Sequence, residues 1–453
     1  MRESKTKDMT VGSPLKLILG FAIPLVFGQL FQQLYNLVDT MIVGKFLGQN
    51  ALAGVGATGC LCFLILGFCG GLCAGLSIPV SQAFGAKDQR LMHCYVANSI
   101  YTSAFFAILI AVLTSVLCHP ILHLLRTPAD VYDHAYSYLI VIFIGIPFTV
   151  LYNMTASLLR AVGDSRTPVV FLVIASLLNI LLDLVCILVF HMGTMGAALA
   201  TVVSQAISGI ACVIYIARRF DVLHPSGEEW TLRMQHVGRL CYMGIPMGLQ
   251  LSITAVGSTI LQASVNLLGS FYVAAVTAGI RISMVFMCAF DAVGTTMATF
   301  CGQNVGAKKF HRLNQGVLSG IFLCAIYCIV AFGIMNGFSN QISMLFLDKP
   351  DGQILDCIRQ FVFWNSAMYI FLVFINIFRY GIQGMGFSNV AMFAGFFELA
   401  ARGIVALYFV PRFGFQAVCF ANPSAWIAAD LFLIPAFFLV KKRLERKFAQ
   451  SKI

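Results

Sequence analysis

Charge is what this sequence has least of. Only 10% of its 453 residues are Asp, Glu, Lys or Arg, whereas a soluble chain is about a quarter charged. A water-soluble globule is thereby excluded. No C-x-x-C pair occurs among the fifteen cysteines, and most of these, such as Cys60, Cys69, Cys186 and Cys288, lie inside apolar blocks. They read as small hydrophobes and not as a zinc or disulfide framework. There is no Walker A loop and no G-x-G-x-x-G following a strand, so a bound nucleotide is not the energy source. No nucleophile–base set or metal-ligand cluster converges either, which argues against an enzyme. Acidic residues are scarcer than basic ones, 18 against 29. The surplus sits at the chain ends and between apolar blocks, as topology signals do, and forms no patch for nucleic acid. A cleavable signal peptide is not expected, because Met1–Thr10 is polar and the apolar run after Leu15 lacks a small-residue cleavage site.

What the chain has in abundance is apolar length. Hydrophobic residues make up 59% of it and the mean hydropathy is +0.88. Crossing a bilayer takes about 20 apolar residues per helix, so there is room for about a dozen spans. Apolar blocks predict helices near 15–44, 51–83, 93–118, 131–159, 169–190 and 194–217, then near 240–268, 272–302, 314–338, 354–383, 388–410 and 415–440. The fold class is an all-α membrane protein of twelve transmembrane helices. The most polar stretch, 218–239, is the expected cytoplasmic linker between an N-terminal six-helix lobe (1–217) and a C-terminal lobe (240–453) with a basic tail. Basic residues concentrate on the arm (Arg2 to Lys16), the even-numbered connections (Lys87, Arg160, Arg218, Lys308 and others) and the tail (Lys441 to Lys452). The opposite side has Lys45, Arg126, Lys349, Arg359 and Arg412. This asymmetry predicts a multi-pass cell-membrane protein with both termini cytoplasmic.

The two halves repeat. Ile23-Pro24 recurs as Ile245-Pro246, Leu47-Gly48 as Leu268-Gly269, Gln82…Gly85-Ala86-Lys87 as Gln303…Gly306-Ala307-Lys308, and Gly193 as Gly414, all at an offset of 221 or 222 residues. Repeats with an even number of spans share one orientation, so the expected relation is a pseudo-two-fold axis along the membrane normal. That relation supports rocking of one lobe against the other.

Polar residues inside these spans are few and patterned. The first helix carries Gln29, Gln32, Gln33, Asn36 and Thr40 toward one side, with Tyr35 and Asp39 beside them. Lipid does not accept such a side, so it faces protein or water. An aspartate at the bilayer centre costs about 2.5–3.5 kcal/mol on insertion scales, which makes Asp39 a functional candidate by default. Asn179 and Asp183 lie one turn apart on the fifth helix, and Asn153 and Thr201 complete a candidate polar cluster. Two close carboxylates suit a proton; with neutral Asn and Thr oxygens the set also suits sodium, at Asp39, Asn179 and Asp183. The competing reading is a hydrogen-bonded cluster that only ties four helices together. The seventh helix has Gln250, Thr254, Ser258, Gln262 and Asn266 in four-residue steps but no acid. Glu398 and Arg402 are one turn apart on the eleventh helix, as an internal ion pair or a substrate contact. Gly67, Gly71 and Gly75 mark a close helix crossing. Pro24 and Pro246 mark kinks, with Pro24 as a candidate hinge.

The stretch Ile23-Pro24…Tyr35-Asn36-Leu37-Val38-Asp39-Thr40, the two Q-x-x-G-A-K endings, Arg160-Ala-Val-Gly163-Asp164-Ser-Arg-Thr167-Pro168 and Gly193…Gly196-Ala197-Ala198 together resemble the multidrug and toxic compound extrusion (MATE) family, most of all its prokaryotic DinF-like branch. The resemblance implies two six-helix lobes around a cleft and antiport of organic cations against protons or sodium. It implies a cation site at Tyr35, Asp39, Asn179 and Asp183, with Asn153 and Thr201 fitting less closely. Other branches use a seventh-helix glutamate, which is absent around Gly257. The expected function is a monomeric secondary efflux antiporter for small amphipathic or cationic molecules. It would need no cofactor beyond its coupling ion, H+ or Na+, and substrate would meet Gln33, Gln262, Met284 and Phe363, with Glu398 and Arg402 as further cavity candidates. The alternative is a lipid-linked precursor flippase of related architecture, disfavoured because internal basic residues are few (Arg281, Arg379 and Arg402).

Overall fold

The computed structural model describes residues 6–125, 127–344 and 352–450. Arg2, Lys5, Arg126, Lys349 and Lys452, which contribute to the orientation argument, lie outside the described residues. Regular structure among the described residues is helical. Among the described residues ten helices are long and apolar enough to span a membrane: α1 (Pro14–Leu47), α2 (Gln49–Gly85), α3 (Gln89–Leu124), α5 (Arg166–Val189), α6 (Gly193–Arg219), α7 (Met234–Leu267), α8 (Ser270–Gly306), α9 (Phe310–Gly337), α11 (Ser388–Phe413) and α12 (Phe415–Gln450). Two bent pairs bring the count to twelve: α4 (Ala129–Ile144 with Ile146–Ala161, 49°) and α10 (Gly352–Ala367 with Tyr369–Gly384, 46°). Helices are what a bilayer demands, since every backbone N–H and C=O must find a partner within its own segment. Apolar side chains such as Val116 and Ile329, 71% and 75% exposed, are at home only against lipid.

All twelve expected segments are present, and most helices run past their apolar blocks. α3, expected over 93–118, begins at Gln89, where the Asp88 carboxylate accepts from the Leu91 N–H and caps the first turn. The bend in α4 has a chemical cause: Pro147 follows Gly145-Ile146, lacks an N–H and crowds the carbonyl one turn back. The α10 break at Met368 has no proline beside it.

The repeated motifs fall where the backbone turns. Gly48 (φ 86°) precedes α2 and Gly269 (φ 106°) precedes α8, in conformations that a side chain would strain. Lys87 and Lys308 end matching helices with φ of 57° and 60°. The repeat is thus a repeat of corners. π-turns occupy Val185–Val189 and Val405–Phe409, the ends of α5 and α11.

By packing, the chain forms two compact units. One comprises the chain to Asp8 and Phe27–Gly248, the other Met9–Val26 and the chain from Leu249. The 218–239 segment lies in the first unit, where Asn98 of α3 donates to Thr231 O and His93 meets Glu229. The first core is centred on Leu72, Leu76, Phe143, Ile146 and Leu159. Here Gly71 and Gly75 of α2 meet the α7 backbone at Met243–Gly248, so closely that a Cβ on Gly75 would lie 2.5 Å from Gly244 Cα. The second core is aromatic, with Tyr369 edge-on to Phe290 and tilted against Trp426.

Candidate functional site

In the first unit, α5 presents Asn179 and Asp183 one turn apart, 1% and 0% exposed. α1 brings Asp39 to them, and the Asp39 and Asp183 carboxyls approach within hydrogen-bonding range. Two ionised carboxylates are both acceptors and cannot bond to each other. Asp39 Oδ1, both Asp183 oxygens and Asn179 Oδ1 accordingly have no donor among the protein groups. Asn179 Nδ2 donates to Thr201 Oγ1 at 3.3 Å, and the Thr201 hydroxyl donates to Ala197 O at 3.1 Å. This fixes the amide so that its oxygen remains free. Tyr35, one turn before Asp39, lies within electrostatic range of both acids and bonds to Gln32. The π-turn at Val185 starts two residues beyond Asp183, a local widening of the kind often found at functional sites.

Beside this group Tyr35, Asn179 and Thr201 line a cavity with Ser176, Ser204 and Gln205. Its volume is about 10 Å³, room for one water-sized species and not for an organic substrate. Gln205 Oε1 adds another buried acceptor without a donor. The arrangement is oxygen-rich and donor-poor. Chemically it complements a proton or a small hard cation.

Asn153 is not part of this cavity; its Nδ2 donates to Thr149 O of its own helix at 2.9 Å. Reading of the sequence missed Ser176, Ser204, Gln205 and Tyr138, the last within electrostatic range of Asp39, Asp183 and Tyr35. A signal existed for the first three: Ser176, Asn179 and Asp183, like Thr201, Ser204 and Gln205, follow helical spacing. Tyr138 gave none, because its approach depends on how α4 packs.

In the second unit, Gln383 Nε2 donates to Gln250 Oε1 at 2.7 Å. Thr254 and Ser258 spend their hydroxyls on carbonyls of their own helix, and Gln262 donates to Asn266. Glu398 is bridged twice, by Arg402 Nη2 at 3.4 Å and by Arg379 Nη2. The ion pair expected on α11 is therefore one arm of a buried Arg–Glu–Arg arrangement. Asp291 of α8 and Asp430 of α12 lie within electrostatic range of Arg379. Reading of the sequence passed over Asp430, although each is a charge within an apolar run. Met284 and Phe363 are 43% and 41% exposed, and Phe363 packs on Phe332 and Trp364. Gln33 is half-buried in the first unit, whereas Gln262, Met284 and Phe363 belong to the second. Pro24 sits inside an unbroken α1. Among the described residues, no three His, Cys, Asp or Glu side chains form a metal-binding group, and the cysteines are free.

Comparison with known proteins places this architecture. The family model described as MatE matches residues 24–185 and again 246–409. The two stretches begin at Pro24 and Pro246, the register of the internal repeat. The chain is 29% identical over 341 residues to the probable multidrug resistance protein YoeA of Bacillus subtilis, covering 73% of each chain. It is 28% identical over 373 residues to the probable multidrug resistance protein YpnP of the same organism, covering 81% of this chain and 82% of that one. A solved outward-facing MATE transporter superposes with a TM-score of 0.88 at 21% identity, over 98% of this chain and 100% of that one. This chain belongs to the MATE family: it is a multi-pass membrane transporter of the multidrug efflux type and not an enzyme.

Proposed function

We propose that this transporter exports amphipathic, chiefly cationic compounds from the cytoplasm in exchange for protons or sodium ions, with the Asp39–Asp183 pair as the coupling site. The observation that carries this reading is the convergence of buried acceptor oxygens without donors from Asp39, Asn179 and Asp183. A structural cluster would pair them with donors; an ion-exchanging one must keep them available. Tyr35 and Thr201 shape the site, and Asn153 flanks it on α4. The relatives named as multidrug resistance proteins support the substrate class.

In this reading the six-helix halves rock as lobes about a hinge at Pro24, the protein works as a monomer, and both termini are cytoplasmic. A membrane potential supplies about 2.3 kcal/mol per charge per 100 mV, enough to bias such a two-state cycle. The proposed substrate contacts are Gln33 in the first unit and, in the second, Gln262 with the exposed Met284 and Phe363. Glu398 and Arg402 hold each other within the second unit instead of contacting it.

The test is efflux of cationic dyes from an efflux-deficient host, followed by proteoliposome transport under separately imposed proton and sodium gradients. Asp39→Asn and Asp183→Asn are each expected to abolish gradient-driven transport while the protein still reaches the membrane. If both variants transport like the parent, the coupling assignment is wrong.

A further inference from the structure

The second unit holds a charged cluster that the proposed coupling step does not use. Five ionisable side chains converge there: Asp291 (α8), Arg379 (α10), Glu398 and Arg402 (α11), and Asp430 (α12). Glu398 takes both guanidinium groups, one on each carboxylate oxygen. Asp430 takes neither. Its side chain is buried, with the residue 4% exposed, and both of its carboxylate oxygens lack a hydrogen-bond partner. From the helices packed against α12, the charged groups that reach it are Arg379 and Glu398, one of each sign.

Charge arithmetic then decides its state. With all five groups charged, three carboxylates against two guanidinium groups leave one net negative charge within the cluster. A buried carboxylate without a bonded partner is strongly disfavoured as the anion, and a proton removes that penalty. Glu398 is ion-paired to both guanidinium groups, whereas Asp291 and Asp430 have Arg379 only within electrostatic range. Of these two, Asp291 is half-buried, while Asp430 is buried with both carboxylate oxygens unpartnered.

We propose that Asp430 carries a proton and makes the C-terminal unit a second protonation site, separate from the Asp39–Asp183 pair. Release of that proton needs a cation, and Arg379 is placed to supply it. Its Nη2 is on Glu398, but its Nε–H has no acceptor, while Arg402 retains Nη2 on Glu398 and has Nε and Nη1 to spare. A shift of Arg379 from Glu398 toward Asp430 leaves Glu398 paired to Arg402 and allows Asp430 to ionise. The proton then leaves as an ordinary acid dissociation, with no change in net guanidinium charge. The site is built to exchange a proton by trading one arginine between two acids.

The inference does not depend on the role proposed for Asp39 and Asp183, and its test removes both. Infrared spectra of the purified protein in lipid nanodiscs read the carbonyl stretch of protonated carboxyl groups. The Asp39→Asn/Asp183→Asn variant is expected to retain one such band. Adding Asp430→Asn should remove it, and adding Asp430→Glu should shift it without loss, which guards against misfolding as the cause. Arg379→Gln is expected to hold the band to higher pH than in the parent, a readout that a merely structural acid would not move. Absence of a band from the double variant, or a band unaltered by both Asp430 substitutions, overturns the proposal.

Discussion

The α2–α7 crossing sets a quantitative test of how the first unit is assembled. An alanine methyl at Gly75 would sit 2.5 Å from Gly244 Cα, 2.6 Å from Met243 O and 2.8 Å from Met243 C. All three are backbone atoms, so no side chain can swing away to make room. Carbon atoms settle at about 3.5–4.0 Å, and a gap of 0.5–1 Å along a seam forfeits about a quarter to a half of each dispersion contact. Gly75→Ala therefore requires α7 to retreat by about 1 Å, and overpacking of this kind costs about 1–3 kcal/mol. Gly70, on the same helix, has nothing within 4 Å of its would-be Cβ. There the same substitution only removes backbone freedom, which stabilises a helix by about 0.5–1 kcal/mol. The two variants should move in opposite directions. Thermal unfolding of the purified protein, followed by reaction of the buried cysteines Cys69 and Cys73 with a thiol dye, reads the difference. Gly75→Ala unfolding at or above the temperature of Gly70→Ala would refute the close crossing.

Glu398→Gln should destabilise more than any single surface change, by about 3–5 kcal/mol, because it removes the one carboxylate to which both buried guanidinium groups are paired; thermal unfolding checks this, and a loss below about 1 kcal/mol would contradict the paired geometry. The linker strap should loosen in acid. The Ser226 backbone N–H foremost, and His93 next, hold the Glu229 carboxyl below its ordinary value of 4.5. Its contribution is thus full above that value and is lost as pH falls through the lower folded-state value. Limited proteolysis within 218–233 should accelerate over that acid range in the parent and show no such step in Glu229→Gln; a flat profile in the parent would refute the strap.

Much of this fold was legible because a bilayer leaves the sequence few choices. Apolar blocks marked the spans, and the glycines at 48 and 269 repeated because the same corner needs the same backbone freedom twice. Asp39 and Asp183 were conspicuous as charges where charge is expensive, and the four-residue step from Asn179 to Asp183 placed both on one face. Their meeting across α1 and α5 is a tertiary fact that helical period cannot show. The same limit hid the second cluster: Arg379, Glu398 and Asp430 lie on three helices, and only packing joins them. The bend at Pro147 carried a chemical marker, whereas its counterpart at Met368 carried none. Asn153 shows what residue type leaves open: its amide N–H donates to a carbonyl of its own helix and it does not line the cavity beside Asn179.

The division of α1 at Val26 and of α7 at Gly248 bears on how such a protein can be recombined. Each unit is completed by a segment borrowed from the opposite half of the chain, Met9–Val26 in one case and Met234–Gly248 in the other. Cutting the chain between its halves would therefore take from Gly71 and Gly75 of α2 the Met243–Gly248 backbone they pack against. A chimera spliced through the 218–239 segment would import a mismatched α7 lead into the parent's first unit. Splicing at 26/27 and 248/249 instead transfers each packed unit whole, so the natural seams of this chain lie inside helices.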